Sequence, residues 1–428
     1  MTTAYEHLYR LAENTPVFDT HEHLQPHKSY LGDTPDILTD YFSHYTSNDL
    51  MAAGMTQAEL DRVCDPAFPL EERFGVLEPY LEHIKNTAYY RSLLIAMEKL
   101  YGETDMTREN IARLNGKFIR NVTSEGYRTH IMKEVCGIRR SVDDFWCDDI
   151  GANTTELFLQ MWQPRKYVMG PSACPSLSAW CRALEEALGR VMDQGAAGLK
   201  IAMAYERSLY FEDVSDERAA ALYGEYLQEG GGGNFPKPVQ DYMMHRVLGM
   251  ADKNQMVVQI HTGLQEGLGH DLSYSNPMNL RNLFKKYPGV SFDIFHMGYP
   301  YQKELGVLAK THPNVYVDLA WANIISPYAV RDALYELLET VPWNKIFAFG
   351  GDYLFYDGVV GHVELARRNV AQVLAEKVDA GELPLPLAEK ILKGLLYENA
   401  EKLFMKTGGG EGQAASSFAP AKNTAARL

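Results

Sequence analysis

The chain has 428 residues, of which 46% are hydrophobic, and its formal net charge at pH 7 is −15. This length and apolar content exclude a globally disordered chain, and they fit either one α/β barrel with insertions or two ordinary domains. The acidic balance argues against nucleic-acid binding, which needs an excess of basic residues at the phosphates, and more weakly against an anionic membrane surface.

Cysteine usage and the two ends of the sequence predict a cytoplasmic protein. The five cysteines are scattered and odd in number and form no Cys-x-x-Cys pair, which favours reduced thiols. The N-terminal stretch lacks the apolar centre of a secretory signal, and no run approaches the roughly 18 apolar residues of a membrane-spanning helix. No membrane partner is therefore predicted. Residues 406–428 are rich in Gly, Ala and Ser and predict a disordered tail.

The first predicted strand, residues 17–20, leads directly into His21-Glu22-His23. Strand side chains alternate with period two, so the imidazoles of His21 and His23 are expected on the same side of the extended chain. Neutral imidazoles bind zinc, iron, manganese and nickel. Taken alone, a His-x-His pair favours a structural role, so its meaning depends on the rest of the chain.

The stretch from about residue 30 to residue 134 does not alternate between strand and helix patterns. It is rich in helix formers, as in residues 70–81 and 89–101, and predicts a helical insertion after the first strand. Loops at the C-terminal end of barrel strands usually build the pocket, so this insertion is the expected lid and specificity element. His44 falls in a predicted loop of the insertion, where a solvated position is expected.

From residue 137 onward the sequence alternates predicted strands and helices. The predicted strands are residues 137–145, 158–169 and 198–205, the runs ending at His261 and His296, residues 314–321, and the run ending before Asp352. The predicted helices are residues 176–194, 238–254, 277–287, 300–311, 328–338 and 361–380. Strands separated by single helices are typical of a parallel sheet with right-handed crossovers. We therefore predict an α/β fold: a (β/α)8 TIM barrel over residues 1–405 that includes the helical insertion.

Four further polar residues lie in or directly after these strands: Lys200, His261, His296 and Asp352. Parallel barrels carry their chemistry at the C-terminal ends of the strands, so these side chains are expected to meet the His-x-His pair. The structural alternatives are a carbonyl-bonded imidazole for each histidine and a helix cap or turn for Asp352. A carboxylate beside a metal-bound water can act as general base, which is the role expected of Asp352.

Lys200 has three alternative roles, because a buried ammonium is costly without a partner. Its side chain pairs with a carboxylate, holds a substrate anion, or has added carbon dioxide to form a carbamate that bridges two metals. The sequence leaves all three open.

The ordered set of strand-end residues resembles the amidohydrolase superfamily of (β/α)8 barrels, over roughly residues 15–405. Within it, residues 259–263 (QIHTG), 276–277 (NP), 296–301 (HMGYPY) and 314–319 (NVYVDL) resemble the amidohydrolase-2 branch, and in particular the N-terminal domain of FluG-type proteins. Uronate isomerases are similar in their helical insertion after the first strand. Their pattern lacks the lysine of the fourth strand, which is a departure from the present sequence.

The resemblance implies a role for each ligand. His21 and His23 would bind the more buried metal with Asp352, while a carboxylated Lys200 would bridge to a second metal held by His261 and His296. If Lys200 is unmodified, one metal remains. The implied cofactor is a divalent metal, with zinc favoured over manganese, iron or nickel, and one or two ions are possible. Asp352 and His296 are the expected catalytic residues, with Asp352 shuttling the proton.

Five residues near the expected pocket are candidate substrate contacts: Arg207, Tyr205, Tyr299, Tyr301 and Trp321. Arg207 follows the fourth strand and can fork onto a substrate carboxylate. The alternative role of Arg207 is a surface ion pair with Glu212 or Asp213. The alternative role of Tyr299, Tyr301 and Trp321, which follow His296 and the seventh strand, is packing.

The leading functional hypothesis is a metal-dependent hydrolase that opens an amide, lactone or related bond of a small, carboxylate-bearing substrate. The first alternative is an isomerase or a non-oxidative decarboxylase on the same barrel, in which metal holds substrate oxygens. The second is a catalytically silent binding module. The expected partner is a small molecule, with no nucleic acid, and a homo-oligomer is left open.

Overall fold

The computed structural model describes residues 3–24, 34–144, 150, 154–171, 174–231 and 235–407. Eight parallel strands lie side by side in sequence order and form the predicted TIM barrel. They are β1 (Val17–Glu22), β2 (Ile138–Asp143), β3 (Phe158–Trp162), β4 (Gly198–Ile201), β5 (Val257–Ile260), β6 (Ser291–Ile294), β7 (Val315–Asp318) and β8 (Ile346–Phe347).

The segment after β8 brings the two ends of the sheet together. The Thr20 N–H donates to the Phe349 carbonyl at 3.1 Å, and the Asp352 N–H donates to the His21 carbonyl at 2.8 Å. Two glycines permit this close approach: a Cβ at Gly350 would lie 2.6 Å from the Ala320 Cβ, and a Cβ at Gly351 would lie 1.7 Å from a Glu22 oxygen. The sequence Gly-Gly-Asp therefore closes the barrel and delivers Asp352 beside β1.

Nineteen helices were assigned in the described part of the chain. They are α1 (Ala4–Asn14), α2 (Ile37–Phe42), α3 (Tyr45–Ala52), α4 (Gln57–Cys64), α5 (Leu70–Ile84), α6 (Ala88–Tyr101), α7 (Ile111–Val122), α8 (Tyr127–Thr129), α9 (Arg165–Met169), α10 (Leu177–Asp193), α11 (Asp216–Gln228), α12 (Lys237–Lys253), α13 (Arg281–Lys286), α14 (Gln302–Thr311), α15 (Ala322–Ile325), α16 (Pro327–Thr340), α17 (Tyr356–Asp379), α18 (Leu385–Lys393) and α19 (Asn399–Thr407). Helices α2 to α8 form the predicted insertion between β1 and β2. None of the helices within the described ranges is long and apolar enough to cross a membrane.

Several element bounds differ from the sequence prediction. The third strand was expected to reach residue 169 but ends at Trp162, because Pro164 caps the short helix α9. The fourth strand ends at Ile201 and is followed by a tight helical turn, Met203–Tyr205. Helices α11, α18 and α19 were not predicted. The first two residues of the expected tail, 406 and 407, end α19, and its remainder from residue 408 onward lies outside the described residues.

The insertion packs on α17 through a buried carboxylate. Asp357, in the first turn of α17, accepts hydrogen bonds from three insertion hydroxyls: Tyr41 at 3.1 Å, Tyr127 at 2.7 Å, and Tyr101. Because the Asp357 side chain is fully buried, these donors replace the water that it loses on folding. The insertion is thus fixed to the barrel rather than loosely appended.

Glu364 on α17 is expected to contribute to the stability of the fold in a pH-dependent way. Burial alone would raise its pKa, but hydrogen bonds from Lys99 (2.6 Å), Tyr9 and Arg368 (2.6 Å) lower the pKa to about 2. A carboxylate whose pKa is lower in the folded chain stabilises the fold above its unfolded pKa, and this stabilisation is lost as pH falls toward the folded value.

We expect Glu364→Gln to lower the free energy of unfolding by about 1 to 2 kcal/mol at pH 7, since solvent screens part of the interaction with the two half-exposed cations. The difference from the unsubstituted chain should shrink as pH falls below about 4.5 and approach zero only near pH 2, where the folded carboxylate itself is protonated. Denaturant unfolding at both pH values measures it. Glu185→Gln removes the partner of the exposed Arg246 and should change stability by less than about 0.5 kcal/mol at either pH. An effect independent of pH would contradict the assignment.

Candidate metal centre

Three predicted imidazoles meet the Asp352 carboxylate at the C-terminal mouth of the barrel. One oxygen, Oδ1, lies 3.2 Å from Nε2 of His21 and 3.2 Å from Nε2 of His23. The other oxygen, Oδ2, lies 3.8 Å from Nε2 of His296. Ligand atoms of His21, His23 and Asp352 all lie within 4.8 Å of one another. Residues from β1, β6 and the turn after β8 are therefore brought to one point.

Hydrogen bonds on the far side of two rings assign the tautomers of this cluster. Nδ1 of His23 lies 2.9 Å from the Asp144 carbonyl, and Nδ1 of His296 lies 2.8 Å from the Ala320 carbonyl. A carbonyl only accepts, so each Nδ1 carries a proton, and in the neutral ring each Nε2 turns a lone pair toward Asp352. Lone pairs that face a carboxylate repel it unless a cation lies between them. This arrangement of nitrogen and oxygen atoms suits a bound metal ion.

His261 shows the same pattern with its nitrogens exchanged. Its Nε2 lies 2.9 Å from the Leu264 carbonyl, so its Nδ1 presents a lone pair, 3.1 Å from Nε2 of His296. Burial lowers the pKa of His261 to about 3 and the pKa of His296 well below its usual value. Both rings are therefore neutral near pH 7, and two lone pairs face each other where an electrophile fits.

Lys200 reaches the same cluster from β4. Its Nζ lies 3.0 Å from Nε2 of His21 and 4.1 Å from the centre of the Phe295 ring, and its side chain is almost fully buried. Burial lowers the pKa of Lys200, although Asp144 and Asp352 act in the opposite direction. Burial therefore raises the share of neutral amine, the form that reacts with carbon dioxide.

The backbone at the mouth adopts left-handed conformations that non-glycine residues rarely occupy. His296, Trp321 and Asp352 have φ of 61°, 60° and 59°. Such conformations cost about 1 to 3 kcal/mol each, and they persist where surrounding contacts hold them. Here the strained turns aim the side chains that follow β6, β7 and β8 into the mouth.

Tyr45 of the insertion braces two of these strained residues. Its hydroxyl donates to the Asp352 main-chain carbonyl at 2.6 Å, and its ring stacks on Trp321 with centres 4.6 Å apart. Trp321 in turn packs edge-on against His296 at 5.1 Å. The sequence gives no signal for Tyr45, because no motif surrounds it.

A cavity of about 440 Å³ opens over the cluster. Its lining includes the predicted ligands, except His296, and the predicted contact Tyr205. It also includes residues that the sequence did not single out as site residues: His44, Asp144, Gln163, Arg165 and Glu266. The prediction that His44 is solvated is wrong, since it borders the cavity and burial lowers its pKa to about 4.

Four predicted substrate contacts do not line this cavity. The Arg207 guanidinium is buried and donates to Gln240 at 2.9 Å and to Asp241 at 2.5 Å, rather than pairing with Glu212 or Asp213. Tyr301 donates to the Leu272 carbonyl at 3.2 Å. Tyr299 packs at the edge of the barrel core, and Trp321 supports His296 from behind.

Comparison with known proteins identifies the family. Residues 141–406 match the family described as Amidohydrolase. The chain belongs to the amidohydrolase family. The predicted resemblance is thereby confirmed, and the His-x-His pair of this amidohydrolase lies upstream of the matched region.

This amidohydrolase is also similar in sequence to two curated relatives. It is 26% identical to protein fluG of Emericella nidulans over 50% of this chain and 26% of that protein. It is 24% identical to the uronate isomerase of Thermotoga maritima over 46% of this chain and 48% of that protein. The chain thus aligns with about half or less of each curated relative.

The solved structure of the Thermotoga maritima uronate isomerase shares the fold. It superimposes with a TM-score of 0.77 at 17% identity and covers 94% of this chain and 98% of that one. The likeness shows that the barrel and its insertion are a shared architecture.

Proposed function

We propose that this amidohydrolase is a metal-dependent hydrolase that cleaves an amide, lactone or related bond of a small polar substrate. The observation that carries the proposal is the convergence of imidazole lone pairs on the Asp352 carboxylate. The expectation of a substrate carboxylate rested on Arg207, whose buried ion pair with Asp241 removes that support.

The proposed centre would hold a divalent metal, preferentially zinc, through His21, His23 and Asp352. A second ion would be held by His261 and His296 together with a carboxylated Lys200. A metal bound there acts as a Lewis acid toward water and a substrate carbonyl. Asp352 accepts the proton of the attacking water and later delivers it to the leaving group, and neutral His296 stays beside the second carboxylate oxygen.

An isomerase is the second candidate, because several curated relatives are uronate isomerases. Hydrolysis is favoured on one local observation. Arg165 is the one guanidinium among the described lining residues, and it is paired with Glu206 at 2.5 Å, so an anionic sugar acid would find no free arginine in this part of the cavity.

Metal titration tests the centre itself. Metal-free protein is titrated separately with zinc, manganese, iron(II) and nickel, and bound metal and thermal stability are measured. We expect one or two ions per chain, and His23→Asn should weaken binding by at least about 100-fold. His130→Asn, at an exposed histidine outside the cluster, serves as the matched control. Absence of metal binding would overturn the proposal.

Labelled water separates the candidate reactions. Metal-loaded protein is incubated in ¹⁸O-water with panels of small amides, lactones and uronates. Hydrolysis places ¹⁸O in the newly formed carboxylate. Turnover of uronates without such incorporation would establish isomerisation instead, and release of carbon dioxide would establish decarboxylation.

A further inference from the structure

The cavity contains a buried carboxylate oxygen that the proposed reaction does not use. Asp144, directly after β2, is 1% exposed and lines the cavity. Gln163 donates to its Oδ2 at 2.7 Å, whereas its Oδ1 is buried and has no hydrogen-bond partner in the described parts of the chain. An unsatisfied buried acceptor destabilises the fold, and more so when it is charged.

The nearest basic side chain does not satisfy this oxygen. Lys200 also lines the cavity, but its Nζ is hydrogen-bonded to His21 and lies over the Phe295 ring. Within the described ranges, no ion pair joins Lys200 to Asp144. The acceptor is therefore left for a molecule that enters the cavity.

A second carboxylate lines the cavity without a hydrogen bond or ion pair to any residue that the structure describes. This is Glu266, in the segment after β5, beside Tyr205, whose hydroxyl accepts the Glu266 N–H at 3.1 Å. By contrast, Glu206 is neutralised by Arg165. The unpaired charged side chains that are described in the cavity lining, apart from the predicted metal ligands, are thus anionic.

We propose that the substrate of this amidohydrolase carries a protonated amino group and that Asp144 binds it. The inference rests on the proposed function and extends it to the substrate class. An ammonium group supplies the N–H donors that Asp144 Oδ1 lacks, and charge-assisted hydrogen bonds are the strong ones. Glu266 adds negative potential within the same cavity.

The proposed subsite lies next to the metal cluster. The main-chain carbonyl of Asp144 accepts the Nδ1–H of His23, so only one imidazole ring separates this residue from Asp352. The amino group therefore sits a few bonds from the reacting carbonyl. A short acyl chain with a terminal amine fits this spacing.

Hydroxamates test the proposal, because the hydroxamate end anchors to metal while the tail samples the cavity. Three probes with four-carbon acyl chains are compared on zinc-loaded protein by calorimetry: butanohydroxamic acid, 4-aminobutanohydroxamic acid and succinic monohydroxamic acid. We expect the ammonium tail to bind at least about tenfold tighter than the methyl tail, and the carboxylate tail to bind weakest.

Asp144→Asn should remove the preference for the ammonium tail and leave the affinity of the methyl-tailed probe within about twofold. Asparagine keeps the main-chain carbonyl that holds His23, so zinc affinity should stay unchanged. Asp271→Asn makes the same charge change outside the cavity, at a carboxylate that is bonded to Ser273, and should alter none of the affinities.

Two results would overturn the inference: tightest binding by the carboxylate tail, or an equal loss for all three probes in Asp144→Asn. Failure of the protein to load zinc would instead overturn the metal centre, and the inference with it. The two failures are distinguishable because the methyl-tailed probe reports on the metal alone.

Discussion

Asp352→Asn is expected to lower turnover by at least about 10³-fold, because an amide cannot accept the proton of the attacking water. Among the described residues, Asp352 is the one carboxylate in contact with all three imidazoles of the cluster. Burial would raise its pKa, but Coulombic attraction to His21 and hydrogen bonds from His21 and His23 hold the pKa well below its usual value. It is therefore ionised at neutral pH. The rate is measured on whichever substrate the ¹⁸O panel identifies.

The conformation of residue 352 supplies the control for this substitution. Its φ of 59° is tolerated by asparagine as by aspartate, whereas alanine adds a backbone cost of about 1 kcal/mol. Asp352→Asn and Asp352→Ala should therefore be equally inactive, with only the alanine variant less stable through backbone strain. Unchanged activity in the asparagine variant would contradict the role of Asp352 as the proton acceptor.

Gly361→Ala is expected to lower the free energy of unfolding by about 3 kcal/mol. Gly361 lies in α17, where a Cβ would meet the main-chain carbonyl oxygen of Ser92 in α6 at 1.8 Å. The obstacle is backbone, so no rotamer change relieves it. The two helices must separate, and the insertion shifts on the barrel. Denaturant unfolding measures the loss.

Gly189→Ala is the matched control for the packing argument. Gly189 lies inside α10, and a Cβ there would have no heavy atom within 4 Å. Alanine restricts the unfolded chain and should stabilise the protein by about 0.5 to 1 kcal/mol. Equal effects of the two substitutions would show that helix propensity, rather than close approach of α6 and α17, governs both sites.

The barrel and the convergence of the candidate metal ligands could be predicted from the sequence because they repeat one local arrangement. Each predicted ligand except Lys200, which lies inside β4, follows or ends an apolar run, and strand order alone places such ends at one mouth. His261 directly follows β5, and a single residue separates His296 from the end of β6. Both side chains reach the same cluster.

The rest of the site depends on contacts between segments that are distant in sequence. Arg207 pairs with Asp241 on α12, and Tyr45 reaches Asp352 across most of the chain, and neither pairing leaves a periodic trace. The sequence does not single out Asp144 as a site residue, because one carboxylate at the end of a weakly predicted strand has no distinguishing pattern. Its unpaired oxygen becomes visible only when its neighbours are known.

Closure of the barrel by the segment after β8 has a consequence for the timing of assembly. His21 and Asp352 are separated by about 330 residues, and the hydrogen bond between their backbones forms only when both ends of the sheet are present. During synthesis, a ribosome-bound chain that has not yet released residue 352 has the paired histidines but not the carboxylate opposite them. In the proposed metal centre, tight binding of an ion would therefore require that the barrel has first closed.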